Sequence, residues 1–280
     1  MYVLSCADIC SAAAVQLAPL HYASPLPRFC LTFASLLQEA TKLALFYKAA
    51  MDEEAVEAAG IAPLVPLLEL CAAAKDPAKR VASLATLYAE YGVSSFFSVG
   101  ADPDAKNSDH CIAQLAQGGL GLLDRDYYFD EDKEDKRALY TKHVATVLQL
   151  VAPDGYTAES ASAAAELVFA LELKIADSHM TKTEKRDPEA TYNKMTLDAL
   201  IELAGEGSFD FKAWFDGIGK PAAELGEVNV CNVEAVKAAA LEIPAVDADT
   251  LEHYLRKPPC VIRRCLWCIH KTLRRLIGLL

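Results

Sequence analysis

The stretch QGGLGLLDRDYY, Gln117 to Tyr128, joins a glycine-rich turn to an acidic, aromatic loop. Gly118, Gly119 and Gly121 suit backbone conformations closed to other residues, or the close approach of another chain segment. The Asp124-Arg125-Asp126-Tyr127-Tyr128 run that follows offers charges and phenols able to pair locally. The cluster reads as a structural turn rather than a ligand cradle, because loop glycines mostly serve geometry. It also lacks the lysine of a phosphate-binding loop, which argues against nucleotide binding.

Working outward, DAKNSDH (104–110) lies before it, and YFDEDKEDKRALYTKHV (128–144) and RDPEATYNKMTLDAL (186–200) lie after it. In this order and at these separations the stretches resemble the N-terminal region of the neprilysin family of zinc metallopeptidases, which includes the endothelin-converting enzymes and bacterial oligopeptidases. The resemblance begins loosely near Leu31, is firmer from FYKAAMDEEAVEAAG (46–60) and runs to about Arg256. Its signature residues are Gln117, Gly118, Gly119, Gly121, Asp124, Arg125, Asp126, Tyr127, Tyr128, Arg186, Asp187, Pro188, Tyr192, Asn193 and Met195, for which a structural role is expected, with salt bridges inside the lobe at 124–126. The family's usual proline after Gly-Leu is Leu123 here, a change that frees the turn.

The chain divides into an unmatched segment 1–30, a family-like region 31–256 and an atypical basic, cysteine-containing tail 257–280. The family's usual Arg-Tyr-Gly-x-Phe-Asp segment is echoed only by Arg28, Phe29 and Phe33, and its substrate-handling role is not carried over, since Ala34 stands at the aspartate position. Ala50 replaces the cysteine that family members carry before Met51-Asp52.

At 280 residues the chain is long enough for a large core. Its net charge is −12, and the tail holds six basic and no acidic residues, so residues 1–256 carry −18. An acidic body of this kind excludes nucleic acid and anionic membrane surfaces as partners. Nine cysteines, at 6, 10, 30, 71, 111, 231, 260, 265 and 268, are odd in number and mostly set in apolar runs, which reads as buried thiols rather than a disulfide framework. None of the four asparagines lies in a glycosylation sequon. The first twenty residues contain Asp8 and no lysine or arginine, a poor match to a signal peptide or a membrane span. Family habit implies an extracellular or membrane-anchored protein, although no signal or anchor is visible.

The pattern predicts a mainly α fold, a multi-helix lobe with one or two small β-hairpins. Strong helix formers run from Leu31 to Ala59 with Gly60 as terminator. Asp76-Pro77 reads as an N-cap with proline in the first turn, and Gly92 as a stop; Val81, Leu84, Tyr88 and Tyr91 share the face between them. Val93–Val99 and Cys111–Leu115 read as a strand pair flanking a polar loop. Helices follow over 131–151, with the charge run EDKEDKR on a solvated face paired at i,i+4, and from Thr157 to about Met180, with Leu167, Val168, Leu171 and Ile175 buried. Thr196 caps a short helix, Glu227–Cys231 is a short strand, and 233–241 and 250–256 are short helices.

The family's catalytic apparatus is a His-Glu-x-x-His helix with a downstream glutamate, which together bind zinc and activate its water. The six histidines here, at 21, 110, 143, 179, 253 and 270, include no two four apart, and Glu131 and Asp135 match the spacing of the downstream ligands without any partner. No catalytic, metal or cofactor residue is therefore assigned, and zinc is expected only in a full-length relative. Cys260, Cys265, Cys268 and His270 offer a zinc reading of the tail, but the spacing fits no standard site. An altered end explains it more simply, and Arg263, Arg264, Lys271, Arg274 and Arg275 among apolar residues leave a membrane-surface helix as a third reading.

The resemblance thus implies the helical lid region of a zinc metalloendopeptidase acting on oligopeptides. That region would be an incomplete copy, inactive without the family's C-terminal catalytic domain. The alternative is a stand-alone, non-catalytic module that binds peptides or a protein partner.

Overall fold

The computed structural model describes residues 41–49, 51–152 and 155–257. The segment before residue 41, including the expected helix start at Leu31, lies outside the described residues, as do Ala50 and the tail beyond Lys257 with its cysteines. The chain falls into two compact units divided after Asp52.

In the first unit, helix α1 spans 41–49 and ends in a turn where the Met51 N–H meets the Tyr47 carbonyl at 3.0 Å. The expected uninterrupted helix therefore breaks here and resumes as α2, Glu53–Ala59. Asp52 directly precedes that restart, and aspartate favours a helix N-cap over a helix interior.

The second unit continues with α3 (Val65–Ala73) and α4 (Pro77–Tyr91). Asp76 Oδ1 accepts the Ala78 N–H at 3.0 Å, and Gly92 closes α4 with φ 67°, a left-handed conformation suited to glycine. Leu84 is buried, and Val81, Tyr88 and Tyr91 pack against the core as half-buried neighbours.

Strands β1 (Phe97–Asp104) and β2 (Asn107–Gln117) form an antiparallel hairpin. The polar segment read as a loop is mostly strand, reaching out from the lobe to a tight turn at Ala105-Lys106. Apart from the buried Asp104 its residues are exposed, so no apolar alternation marks them. The hairpin joins β3 (Lys194–Thr196) and β4 (Glu227–Val230) in one mixed sheet of order β1-β2-β4-β3, with β2 and β4 parallel and β3 and β4 antiparallel.

The short helix α5 (Asp126–Phe129) leads into α6 (Glu134–Val151) and the long α7 (Ala158–Asp177). Tyr140, Val144, Val147, Leu148 and Val151 are all buried along α6. Lys133 pairs with the adjacent Asp132 rather than with a residue four away, and Arg137 turns back to the carbonyls of Tyr127 and Asp130. Thr157 opens α7 through a reciprocal capping box with Ser160. Val168, Leu171 and Ile175 line its buried stripe, but Leu167 is 48% exposed, and the inner position beside Leu171 belongs to Glu172.

Helices α8 (Leu197–Ala204), α9 (Phe211–Gly217), α10 (Val233–Ala245) and α11 (Ala248–Arg256) complete the unit, capped by Thr196, Asp210, Asn232 and Asp247. Pro244 cannot donate to the Ala240 carbonyl, which accepts the Phe209 N–H at 2.8 Å instead. Arg80, 6% exposed, donates to the carbonyls of Ala74, Ile243 and Pro244 and so joins the ends of α3 and α10. Phe97, Phe209, Phe211 and Trp214 meet edge-on or tilted at 5.1–5.8 Å, the geometry preferred by aromatic quadrupoles, where sheet and helices close on each other. Among the described residues no single helix is long and apolar enough to cross a membrane.

Candidate functional site

The glycine stretch closes over a buried carboxylate. Glu172 of α7 is fully buried, and its Oε2 accepts the Tyr128 hydroxyl at 2.6 Å while Oε1 accepts that of Tyr140 at 2.8 Å. Lys257, 1% exposed, forms an ion pair with Oε1, and its Nζ also donates to the Gly119 carbonyl at 2.6 Å. The Tyr254 hydroxyl lies within hydrogen-bond reach of the carbonyls of Ser95 and Gly119. The N–H groups of Gly121 and Leu122 both donate to the Tyr128 hydroxyl at 3.1 Å. Burial first, then the charge of Glu172, pushes the phenols of Tyr128 and Tyr140 far above their ordinary range, so both stay protonated donors.

The glycines here have steric reasons. Gly119 has φ 92°, and a Cβ at that position would overlap the Ser95 carbonyl. A Cβ at Gly121 would overlap the Tyr140 hydroxyl, and one at Gly118 would press on the backbone of Phe97 and Ser98 at 3.0–3.2 Å. The loop is packed against protein on its inner side.

Gln117 acts as a clamp at the end of β2. Its amide exchanges two hydrogen bonds with the backbone of Met180, at 2.9 and 3.2 Å, and its Oε1 also accepts Asn232 Nδ2 at 2.7 Å. Next to it His179 is 7% exposed; burial, then the charge of Lys185, bring its imidazole down to about 4, with the Gly118 backbone opposing and Arg125 adding to that shift. Asp124 pairs with Lys182 at 2.8 Å and accepts the Asp126 N–H at 3.1 Å, Arg125 sits 4.5 Å from the Phe129 ring centre, and Tyr127 accepts from Arg137 through its carbonyl.

The second signature stretch lies at the far side of the sheet. Arg186, Asp187 and Pro188 are exposed, and Asp187 Oδ1 accepts the N–H groups of Glu189 and Ala190. Asn193 Nδ2 donates to the carbonyls of Ala190 and Val230 at 3.0 Å, and its N–H meets Asn229 Oδ1 at 2.7 Å, so it splices the segment onto β4. Met195 packs half-buried against the core. Tyr192 and Lys194 reach Asp104 at the base of the hairpin turn, at 2.8 and 3.0 Å. The Lys106 N–H, then those two side chains, hold the Asp104 carboxyl at about 2. The two groups of signature residues therefore meet different partners and do not converge on one centre.

Sequence reasoning missed Glu172, Lys257, Tyr140 and Tyr254 as partners of the glycine loop. Glu172 could have been found, because it stands four residues after Val168 on the inner stripe of α7. Lys257, read as the first residue of the tail, carries no such mark.

A solvent-open cleft of about 560 Å³ lies between the end of α7 and the start of α10, lined by Asp177, His179, Glu184, Glu234 and Lys237 among others. Ser178, beside His179, donates its hydroxyl to the Ile175 carbonyl, so the two are not paired as nucleophile and base. Among the described residues no group of three His, Cys, Asp or Glu side chains could hold a metal ion. Of the three described cysteines, none in a disulfide, Cys71 is buried and Cys231 half-buried, whereas Cys111 is exposed on the outer part of β2, contrary to the reading of buried thiols.

This arrangement defines a helical lobe with an interior polar knot. The model of Peptidase family M13 matches residues 28–257, and the chain belongs to that family. It is similar to endothelin-converting enzyme 1 of Homo sapiens, 30% identical over 179 residues, covering 61% of this chain and 23% of that protein. With the Rattus norvegicus enzyme the identity is 30% over 233 residues, 79% of this chain and 30% of that one. The Mycobacterium tuberculosis zinc metalloprotease Zmp1, solved with an inhibitor, superposes with a TM-score of 0.75 at 29% identity, covering 82% of this chain and 34% of that one. PepO from Lactobacillus rhamnosis HN001 shares the fold, with a TM-score of 0.60 at 19% identity over 83% of this chain and 36% of that one. The chain thus spans less than a third of the length of the two endothelin-converting enzymes and just over a third of the two solved proteases.

Proposed function

We propose that this chain is the N-terminal lid region of a neprilysin-like zinc metalloendopeptidase, that it shapes the wall of a cavity for oligopeptides, and that it has no peptidase activity alone. One observation carries the reading: a sequence without two histidines four apart adopts a fold similar to part of a zinc metalloprotease over most of its length. Without that histidine pair there is no zinc to lower the pKa of a water molecule or polarise a peptide carbonyl. Zinc and the chemical step belong, in this reading, to a catalytic domain that works with the lobe.

Two assays test it. The purified chain, incubated with zinc and fluorogenic oligopeptides, is expected to give no hydrolysis that a chelator abolishes; chelator-sensitive turnover would overturn the inactivity. For the lid role, residues 53–257 replace the matched region of Zmp1. A folded chimera that keeps chelator-sensitive cleavage of short peptides supports the role, and a folded but inactive one contradicts it.

A further inference from the structure

We propose that Lys257 is a C-terminal latch that holds the glycine loop shut, so that displacement of the chain at residue 257 opens that loop. Lys257 follows the last turn of α11 with φ −64° and ψ 162°, an extended conformation. Pro258 comes next in sequence, and a following proline disfavours the helical conformation at the residue before it. The helix therefore stops, and the lysine side chain turns inward. Its Nζ reaches Glu172 and the Gly119 carbonyl and sits 3.8 Å from the centre of the Tyr254 ring, and that tyrosine's hydroxyl itself reaches Gly119.

The Gly119 carbonyl is thus held by two side chains from the last four described residues, and the next turn of the loop by Tyr128, which shares Glu172 with Lys257. The loop, the buried carboxylate and the chain's exit form one hydrogen-bonded unit. Withdrawing the ammonium strands a carboxylate among two phenols and removes a charge-assisted bond from Gly119 together. An unpaired buried charge is costly enough that the elements around it rearrange to admit water. The loop is the one of those elements that is irregular and half-buried, and so the one to open.

Hydrogen exchange followed by mass spectrometry on the full chain tests this. In K257M, residues 117–123 and 252–257 are expected to exchange faster than in the parent by about tenfold or more beyond the rise that lower overall stability gives to α8 and α9. E172Q, which keeps a carbonyl acceptor but removes the charge, is expected to give a smaller rise in the same segments. Loop exchange that is unchanged, or that rises only in step with α8 and α9, would overturn the proposal. Should K257M fail to fold, the parent chain in sub-denaturing guanidinium answers the same question. One common opening free energy and denaturant slope for 118–122 and 254–257 supports the latch, and two distinct openings refute it.

Discussion

Glu172 and Asp104 are both carboxylates with almost no exposed surface, the first held by a lysine and two tyrosine hydroxyls and the second by a lysine and one, yet they do different work. Glu172 lies inside the helical core, and its partners are Tyr128 of α5, Tyr140 of α6 and Lys257 just past the end of α11, with Lys257 itself buried. Asp104 lies at the base of the hairpin turn, where Lys194 is 28% exposed and shared with Glu227, and a backbone N–H supplies one of its bonds. Water can replace a lost partner at Asp104, whereas at Glu172 it must first break into the core. Similar inventories of donors therefore give a keystone in one place and a local staple in the other.

The comparison can be broken at several points. The largest effect is expected from K257M, which leaves Glu172 charged and unpaired and should cost about 3–5 kcal/mol in denaturant unfolding. Next comes G119A, which demands a positive φ from alanine and drives a methyl into the Ser95 carbonyl; about 2–4 kcal/mol is expected from strain and overpacking together, measured in the same way.

The pH dependence separates two further groups. His179 takes a proton only near pH 4 when folded but at its ordinary value when unfolded, so it contributes stability above about pH 6.5 that is lost as the pH falls towards 4. H179Q should flatten the stability–pH curve in that window, by at most about 1.4 kcal/mol per pH unit. Asp104, held at about 2, stabilises the fold above the ordinary carboxylate range, and that contribution disappears as the pH falls from about 4 towards 2. D104N should remove this acid-linked loss and reduce stability at neutral pH by less than K257M does. Leu123 is 76% exposed, and L123S is expected to shift unfolding by no more than about 0.5 kcal/mol.

Much of this architecture was legible because its signals are local. Asp76-Pro77, Gly92, Thr157 and Thr196 mark helix ends through chemistry within three residues, and the structure places caps at each. The inner face of α6 follows directly from apolar spacing. The outer halves of β1 and β2 were unreadable, since exposed strand residues show no apolar alternation and look like loop. The break after α1 was missed because Met51-Asp52 is a weak interruption in a run of good helix formers. Within the site, the glycines pointed to close approach without saying what approaches. Tyr140, Tyr254 and Glu172 are separated from Gly119 by tens of residues, and pairings at that range are fixed by tertiary packing alone.

The most direct test is a double-mutant cycle on the buried pair, read by denaturant unfolding of K257M, E172Q and E172Q/K257M. If the pair is the keystone, K257M is strongly destabilised because it strands a charge. Adding E172Q should then recover more than half of that loss, since the amide keeps a carbonyl for the tyrosines without the charge. If instead E172Q adds its own cost in full on top of K257M, the two side chains act independently and the glycine loop is held by something else.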